Sequence, residues 1–222
     1  MIMSECEMQK ETGAVTFLDV LGWKGIWQQN NTAVETLYAL IKKVEVIAEE
    51  VSSKHKDEQE LRGKKKITQV LSISDTIAIF TSASPKLAIE IQAEICSRAL
   101  PEALSQELPL RGAISYGEYS IKENIMLGYA VDEAASWHER TDWIGVILTP
   151  SAYIKIKKEK IDSLKEYDKI PYKMPMKKPD ICVKWTYENK EELLRIIDKK
   201  GPLVPDIAPK YLNTLIFLES EE

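Results

Sequence analysis

One run of eight residues, AVTFLDVL at 14–21, constrains this chain more than any other. It is bounded by Gly13 and Gly22 and dominated by Val, Phe and Leu, which predicts a buried strand. Inside it sits a carboxylate, Asp19. Acids are depleted from strands, and burying one without a partner is expensive. Asp19 therefore needs a counter-charge: a metal ion, or more plainly the ammonium of a lysine.

The elements that follow set its neighbourhood. Residues 32–53 carry Val34, Leu37, Leu40, Ile41, Val44, Ile47 and Val51 at helical spacing, and Thr32 with Glu35 has the capping-box pattern. Residues 54–66 are charged and expected to be exposed. KITQVLSISDTIAIF, 66–80, reads as two short strands joined by a tight turn at Ser74-Asp75. A second helix is expected over 85–104, with Pro85 in its first turn and Leu87, Ile91, Ile95, Leu100 and Leu104 on its buried face. LRGAISYGEYSI, 110–121, is a strand pair or one strand bending at Gly117. Residues 125–140 begin with a short apolar piece and become an alanine-rich helix, and WIGVILTP, 143–150, is another buried strand. The order β-α-β-β-α-β-α-β predicts an α+β fold: a ferredoxin-like, palm-type antiparallel sheet with helices on one face. Residues 1–150 would form the core of the domain. Residues 151–222 hold half of the Lys and Arg and most of the prolines. They are expected to extend the same domain with a strand at 181–187, a helix at 189–199 and an irregular tail ending LNTLIFLESEE.

Composition removes several function classes. With 222 residues, 44% apolar and 29% charged, the chain can build a core of ordinary size. A net charge of -5 gives nucleic-acid binding no electrostatic support, and it weighs against a polymerase fragment. No apolar run is long enough for a membrane span, and the polar start MIMSECEMQKETG has no secretory core, so a cytoplasmic location is expected. Cys6, Cys96 and Cys182 are far apart, which argues against a zinc cluster or a disulfide scaffold. With only His55 and His138, a mechanism built on several histidines is nearly excluded.

Asp75 is the second unusual acid, and in a palm-type sheet its hairpin neighbours the strand of Asp19. Two carboxylates brought together raise each other's pKa unless a cation lies between them. Mg²⁺ and Mn²⁺ suit such an oxygen site and are often completed by substrate phosphates. The bend at Leu21-Gly22-Trp23 could then offer backbone N–H groups to phosphate. Asp75 can equally be an ordinary turn acid.

Four blocks together resemble the class III nucleotidyl cyclases: FLDVLGW, SISDTIAIF, LRGAISYGEY and GYAVDEAASW, in family order over roughly residues 14–150. Within that superfamily, DVLGWKGIW and ASWHERTDWIGV are similar to the bacterial pyrimidine cyclases of the Pycsar anti-phage systems. The resemblance implies a homodimer that makes cyclic UMP or cyclic CMP from UTP or CTP, a messenger that acts on a separate effector protein. It implies that Asp19, Asp75 and the carbonyl of Val20 hold two Mg²⁺ or Mn²⁺ ions. Leu21, Gly22 and Trp23 would contact the triphosphate, and the ribose 3′-hydroxyl would attack the α-phosphate.

The chain departs from the family pattern. The usual glycine before the second acid is Ser74, and the slots of the closing helix that normally hold Asn and Arg carry Asp132 and Ser136. Arg140, four residues after Ser136, is the natural substitute for the transition-state arginine, with Arg111 and Lys66 behind it. The slots that read adenine hold Leu71 and Ile125, which speaks against a cyclic AMP producer, and Lys66, Gln69 and Tyr116 are alternative base readers. Asp132 remains a substrate contact. His138 is expected to be exposed or capped, and Trp137 and Trp143 to pack the core or a dimer interface. The competing readings are a catalytically weak or inactive cyclase-fold nucleotide-binding module and a purine cyclase.

Overall fold

A computed structural model describes residues 10–23, 31–57, 66–123, 125–175, 177, 179–199 and 203–220. The strands are β1 (Glu11–Val20), β2 (Thr68–Ile73), β3 (Thr76–Thr81), β4 (Leu110–Lys122), β5 (Ile125–Leu127), β6 (Gly145–Leu148), β7 (Leu164–Glu166) and β8 (Ile181–Val183). The helices are α1 (Ala33–Lys54), α2 (Pro85–Ser105), α3 (Tyr129–Trp137), α4 (Pro150–Ile156), α5 (Lys190–Lys199) and α6 (Ala208–Glu219). The strands form one sheet in the order β2-β3-β1-β4-β6-β8-β7, with β5 paired to β4. The predicted α+β architecture is present.

β1 is central, and both of its faces are covered. Ala14, Leu18 and Val20 join the large core built with α1 and α2. Val15 and Phe17 join a second cluster with Ala130, Val131 and Ala134 of α3. A strand buried on both faces reads as a continuous apolar run, which explains the spelling of 14–21. The two long helices share one face, as expected, while α3 lies across the other. The sheet is also mixed rather than purely antiparallel, because β4 and β6 run parallel, with Arg111 opposite Gly145.

Polar ties fix these layers. Gln92 of α2 is fully buried and donates to the carbonyls of Ala14 at 2.7 Å and Ile79 at 3.0 Å, while Thr16 donates to its oxygen. Ser115 Oγ on β4 lies 2.6 Å from the carbonyl of Ala130 and 3.1 Å from that of Val15, tethering α3 to the sheet. Gly128, at φ 130°, turns the chain into α3; a Cβ there would meet the Glu118 carbonyl oxygen at 2.5 Å.

Several boundaries differ from the sequence reading. Val34 is 66% exposed, because Ala33 and Leu37 carry the first turn of α1 inward, and Thr32 makes no side-chain capping bond. β4 is one strand running through Gly117. The strand expected at 143–150 narrows to β6, with Trp143 and Ile144 buried in the turn before it. The strand expected at 181–187 narrows to β8, which pairs with β7 over three residues. The tail is a helix, α6, whose Tyr211, Thr214, Phe217 and Leu218 face inward at helical spacing. Phe217 meets Trp143 edge-on at 4.9 Å, and Trp143 stacks on Tyr167 at 5.8 Å, which places Trp143 in the core.

Candidate functional site

Asp19 occupies the next-to-last position of β1, on the face that α3 covers. It pairs in register with Thr76 of β3 on one side and Arg111 of β4 on the other. It is only 8% exposed, and Arg111 is 7% exposed. The Arg111 guanidinium donates from Nε to Asp19 Oδ2 at 3.1 Å and contacts the same oxygen from Nη2 at 3.0 Å. Its remaining donors reach the Glu139 carboxylate at 3.2 Å and the carbonyls of Thr141 at 3.4 Å and Glu139 at 3.5 Å. The counter-charge of Asp19 in the protein itself is thus an arginine from the adjacent strand, where a lysine was the plain alternative.

That pair does not neutralise the pocket. Burial pushes the Asp19 carboxyl above its ordinary value; Arg111 pulls it down, and the charges of Glu139 and Asp75 add to the rise. One guanidinium faces three carboxylates here, Asp19, Asp75 and Glu139, a balance that a divalent cation would relieve.

The second acid sits where the hairpin reading put it. β2 and β3 are joined at Ser74-Asp75, and Ser74 adopts φ 57°, the left-handed region that explains why glycine suits this slot. The carbonyl of Asp75 accepts from Val20 N–H at 3.3 Å, pinning the turn to the end of β1. Asp19, Asp75 and the Val20 carbonyl therefore lie at one end of the sheet, and their oxygens are of the hard kind that suits Mg²⁺ or Mn²⁺. The Val20 carbonyl accepts from Trp23 N–H at 3.4 Å and keeps a second lone pair.

The bend after β1 is less open to phosphate than its sequence suggests. Gly22 has φ 79° and is exposed, but Leu21 is buried with its N–H given to Pro109 O at 2.8 Å. Trp23 packs against the core, with its N–H given to Val20. Of the three N–H groups expected to cradle phosphate, those of Leu21 and Trp23 are engaged within the protein. Residues 24–30, including the rest of the opening motif, lie outside the described residues.

The remaining candidates divide by position. Arg111 is at the site. Arg140 follows α3, is exposed, and donates from Nε to the carbonyl of Ser136 at 3.0 Å. Asp132 is exposed in the first turn of α3, at the opposite end of that helix from His138. Lys66 precedes β2 at the end where Thr68 faces Thr81. Asp19 lies level with Ile73, five strand residues or roughly 17 Å away, so Lys66 and Asp19 are not neighbours within one chain. Lys66 instead borders a groove between α1 and β2 with Glu45, Glu49 and Lys56. Gln69 and Tyr116 belong to the same far end; the Tyr116 hydroxyl donates to Ala83 O at 3.1 Å.

Two residues at the site have no site role in the sequence reading, which expects His138 to be exposed or capped. His138 caps α3, half-buried, with its ring edge-on to Phe17 at 6.0 Å. Glu139 follows it and reaches Arg111. One ligand atom each from Asp19, His138 and Glu139 lie within 4.8 Å of one another. Phe17 and Asp19 share a face of β1, so a helix that ends over Phe17 delivers its next residues to Asp19, but only the crossing of α3 over the sheet puts its end there.

At the sequence level the chain matches no protein-family model and no curated protein. Its fold, however, is shared with solved nucleotide cyclases. The adenylyl cyclase CyaB from P. aeruginosa superposes with a TM-score of 0.53 at 16% identity, covering 80% of this chain and 95% of that one. The catalytic core of a rhodopsin-guanylyl cyclase with converted specificity, solved in complex with ATPαS, gives 0.55 at 12% identity, covering 80% and 98%. The class defined here is one of fold: the α+β architecture of adenylyl and guanylyl cyclase cores. No described helix is long and apolar enough to cross a membrane.

Proposed function

We propose that the chain is a nucleotide cyclase that closes the 3′-hydroxyl of a ribonucleoside triphosphate onto its α-phosphate and releases diphosphate. The observation that carries this is the buried Asp19 beside the Asp75 hairpin, on a fold shared with adenylyl and guanylyl cyclase cores. Asp19, Asp75 and the Val20 carbonyl would hold two Mg²⁺ or Mn²⁺ ions. Bound there, such ions supply charge neutralisation for the triphosphate and acidify the 3′-hydroxyl. The chain's own work is positioning and charge. Arg111, with a fixed guanidinium, is the described arginine that already faces the acids, and Arg140 would have to leave the Ser136 carbonyl to reach phosphate.

The proposed substrates are UTP or CTP. The adenine-reading slots hold Leu71 and Ile125, and the opening motif and the block at 135–146 are similar to the Pycsar pyrimidine cyclases. The messenger would then serve anti-phage defence through a separate effector. A homodimer is part of the proposal, supported by an apolar patch on β5 and the start of α3: Ile125 is 61% exposed, Leu127 46% and Tyr129 81%. The ion pair of Arg111 with Asp19 favours a second reading, a nucleotide-binding module that does not turn over.

The deciding experiment incubates the protein with each of ATP, GTP, UTP and CTP in Mn²⁺ or Mg²⁺ and follows diphosphate and cyclic product. Cyclic UMP or cyclic CMP is expected, with a loss of at least about a hundredfold in Asp19→Ala and Asp75→Ala. Nucleotide binding without diphosphate would support the second reading, and equal activity in both variants would sink the metal assignment.

A further inference from the structure

We propose that Asp19, His138 and Glu139 form a divalent transition-metal site that takes Mn²⁺, Co²⁺ or Zn²⁺ ahead of Mg²⁺. The site shares Asp19 with the cyclase reading but needs neither Asp75 nor a nucleotide.

Three observations carry it. First, the ligand atoms converge. Metal–ligand bonds of about 2.0–2.2 Å put three ligands of one ion roughly 3.5–3.8 Å from one another at their widest spread, so a cluster within 4.8 Å needs closure of about an ångström. Second, the histidine is held in the tautomer that a ligand needs. Its Nδ1 lies 2.7 Å from the carbonyl of Ala135. A carbonyl only accepts, so Nδ1 carries the proton and the lone pair of the neutral ring sits on Nε2. Metal-binding histidines are characteristically held this way, by a bond from the far nitrogen to a backbone carbonyl. The edge-on contact with Phe17 restrains the same ring. Third, a cation already bridges two of the three ligands, because Arg111 Nη2 contacts both Asp19 and Glu139. The carboxylates are arranged around a shared positive charge, and Arg111 keeps the carbonyls of Thr141 and Glu139 as partners if it yields Asp19.

The nitrogen ligand sets the preference. Mg²⁺ favours oxygen ligands and near-ideal octahedra, whereas imidazole suits later first-row ions and is accepted by Mn²⁺. A site with one imidazole and two carboxylates therefore discriminates where an all-carboxylate site does not.

The test uses the full chain without nucleotide and Mn²⁺ alone as the probe. Pulsed electron paramagnetic resonance should detect ¹⁴N coupling to bound Mn²⁺, and labelling the protein with ¹⁵N-histidine should convert it to the ¹⁵N pattern. His138→Gln should remove the coupling and weaken Mn²⁺ binding at least tenfold by calorimetry while leaving Mg²⁺ binding and the melting temperature unchanged. Glu139→Gln should weaken Mn²⁺ similarly, and Asp75→Ala should retain the coupling. Absence of nitrogen coupling in the wild-type protein, or an equal loss of Mn²⁺ and Mg²⁺ binding in His138→Gln, overturns the proposal. Nitrogen coupling without turnover of any triphosphate would refute the cyclase reading and leave this site standing.

Discussion

Asp19 and Arg111 sit 92 residues apart in sequence, and two guanidinium nitrogens meet a single carboxylate oxygen. Removing one partner of a buried pair leaves the other charge stranded, which typically costs about 3–5 kcal/mol. Arg111→Ala should lose that much stability at neutral pH without metal, measured by urea unfolding, and less toward acid pH. The direction follows from the raised Asp19 value. A carboxyl that titrates higher folded than unfolded costs stability above its folded value, and the cost fades as pH falls and the group takes up its proton. A cation removes the same cost while the carboxylate is charged. Mn²⁺ should therefore raise the melting temperature at neutral pH, and Asp19→Asn should abolish most of that rise; an undiminished rise in Asp19→Asn would refute the assignment. Asp19 was visible in the sequence because an acid in an apolar run is conspicuous. Its partner was not, since the register of β1 against β4 is set by long-range pairing that no local pattern records. His138 and Glu139 were hidden for the same reason: their place depends on how α3 crosses the sheet.

Among the elements, α6 does more than fill space. Thr214 accepts the Ile144 N–H at 2.8 Å, and Asn213 donates to the Asp142 carbonyl at 2.8 Å, so this helix grips the segment that runs on from Glu139. Thr214→Val would leave that buried N–H unpaired, and a loss of about 1–3 kcal/mol is expected by chemical denaturation, with Thr214→Ser recovering most of it. Ser74→Gly should keep the fold and raise stability, by about 1 kcal/mol at most, because glycine accepts a positive φ without cost. The hairpin and the long helices were legible because their periodicities are clean. The tail was not, because the run LIFL masks helical spacing and the buried face includes the polar Thr214 and Tyr211.

At the scale of the whole molecule, the order of elements was readable, while the parallel joint between β4 and β6 was not; antiparallel and parallel neighbours spell alike when both faces are buried. The apolar patch around Tyr129 makes the homodimer testable: Tyr129→Glu should shift the sedimentation of a dimeric wild type toward monomer without lowering its melting temperature. The sheet is also unevenly laced. β1 is bonded along its length on both sides, from Ala14 to Asp19 against β3 and from Glu11 to Val20 against β4. β8 meets β6 through the single registered pair Ile147 and Cys182. In deuterium these are two clocks. The amides of β1 should exchange only when the whole domain opens, while those of β7 and β8 trade their protons far sooner, by fraying at the sheet's far margin.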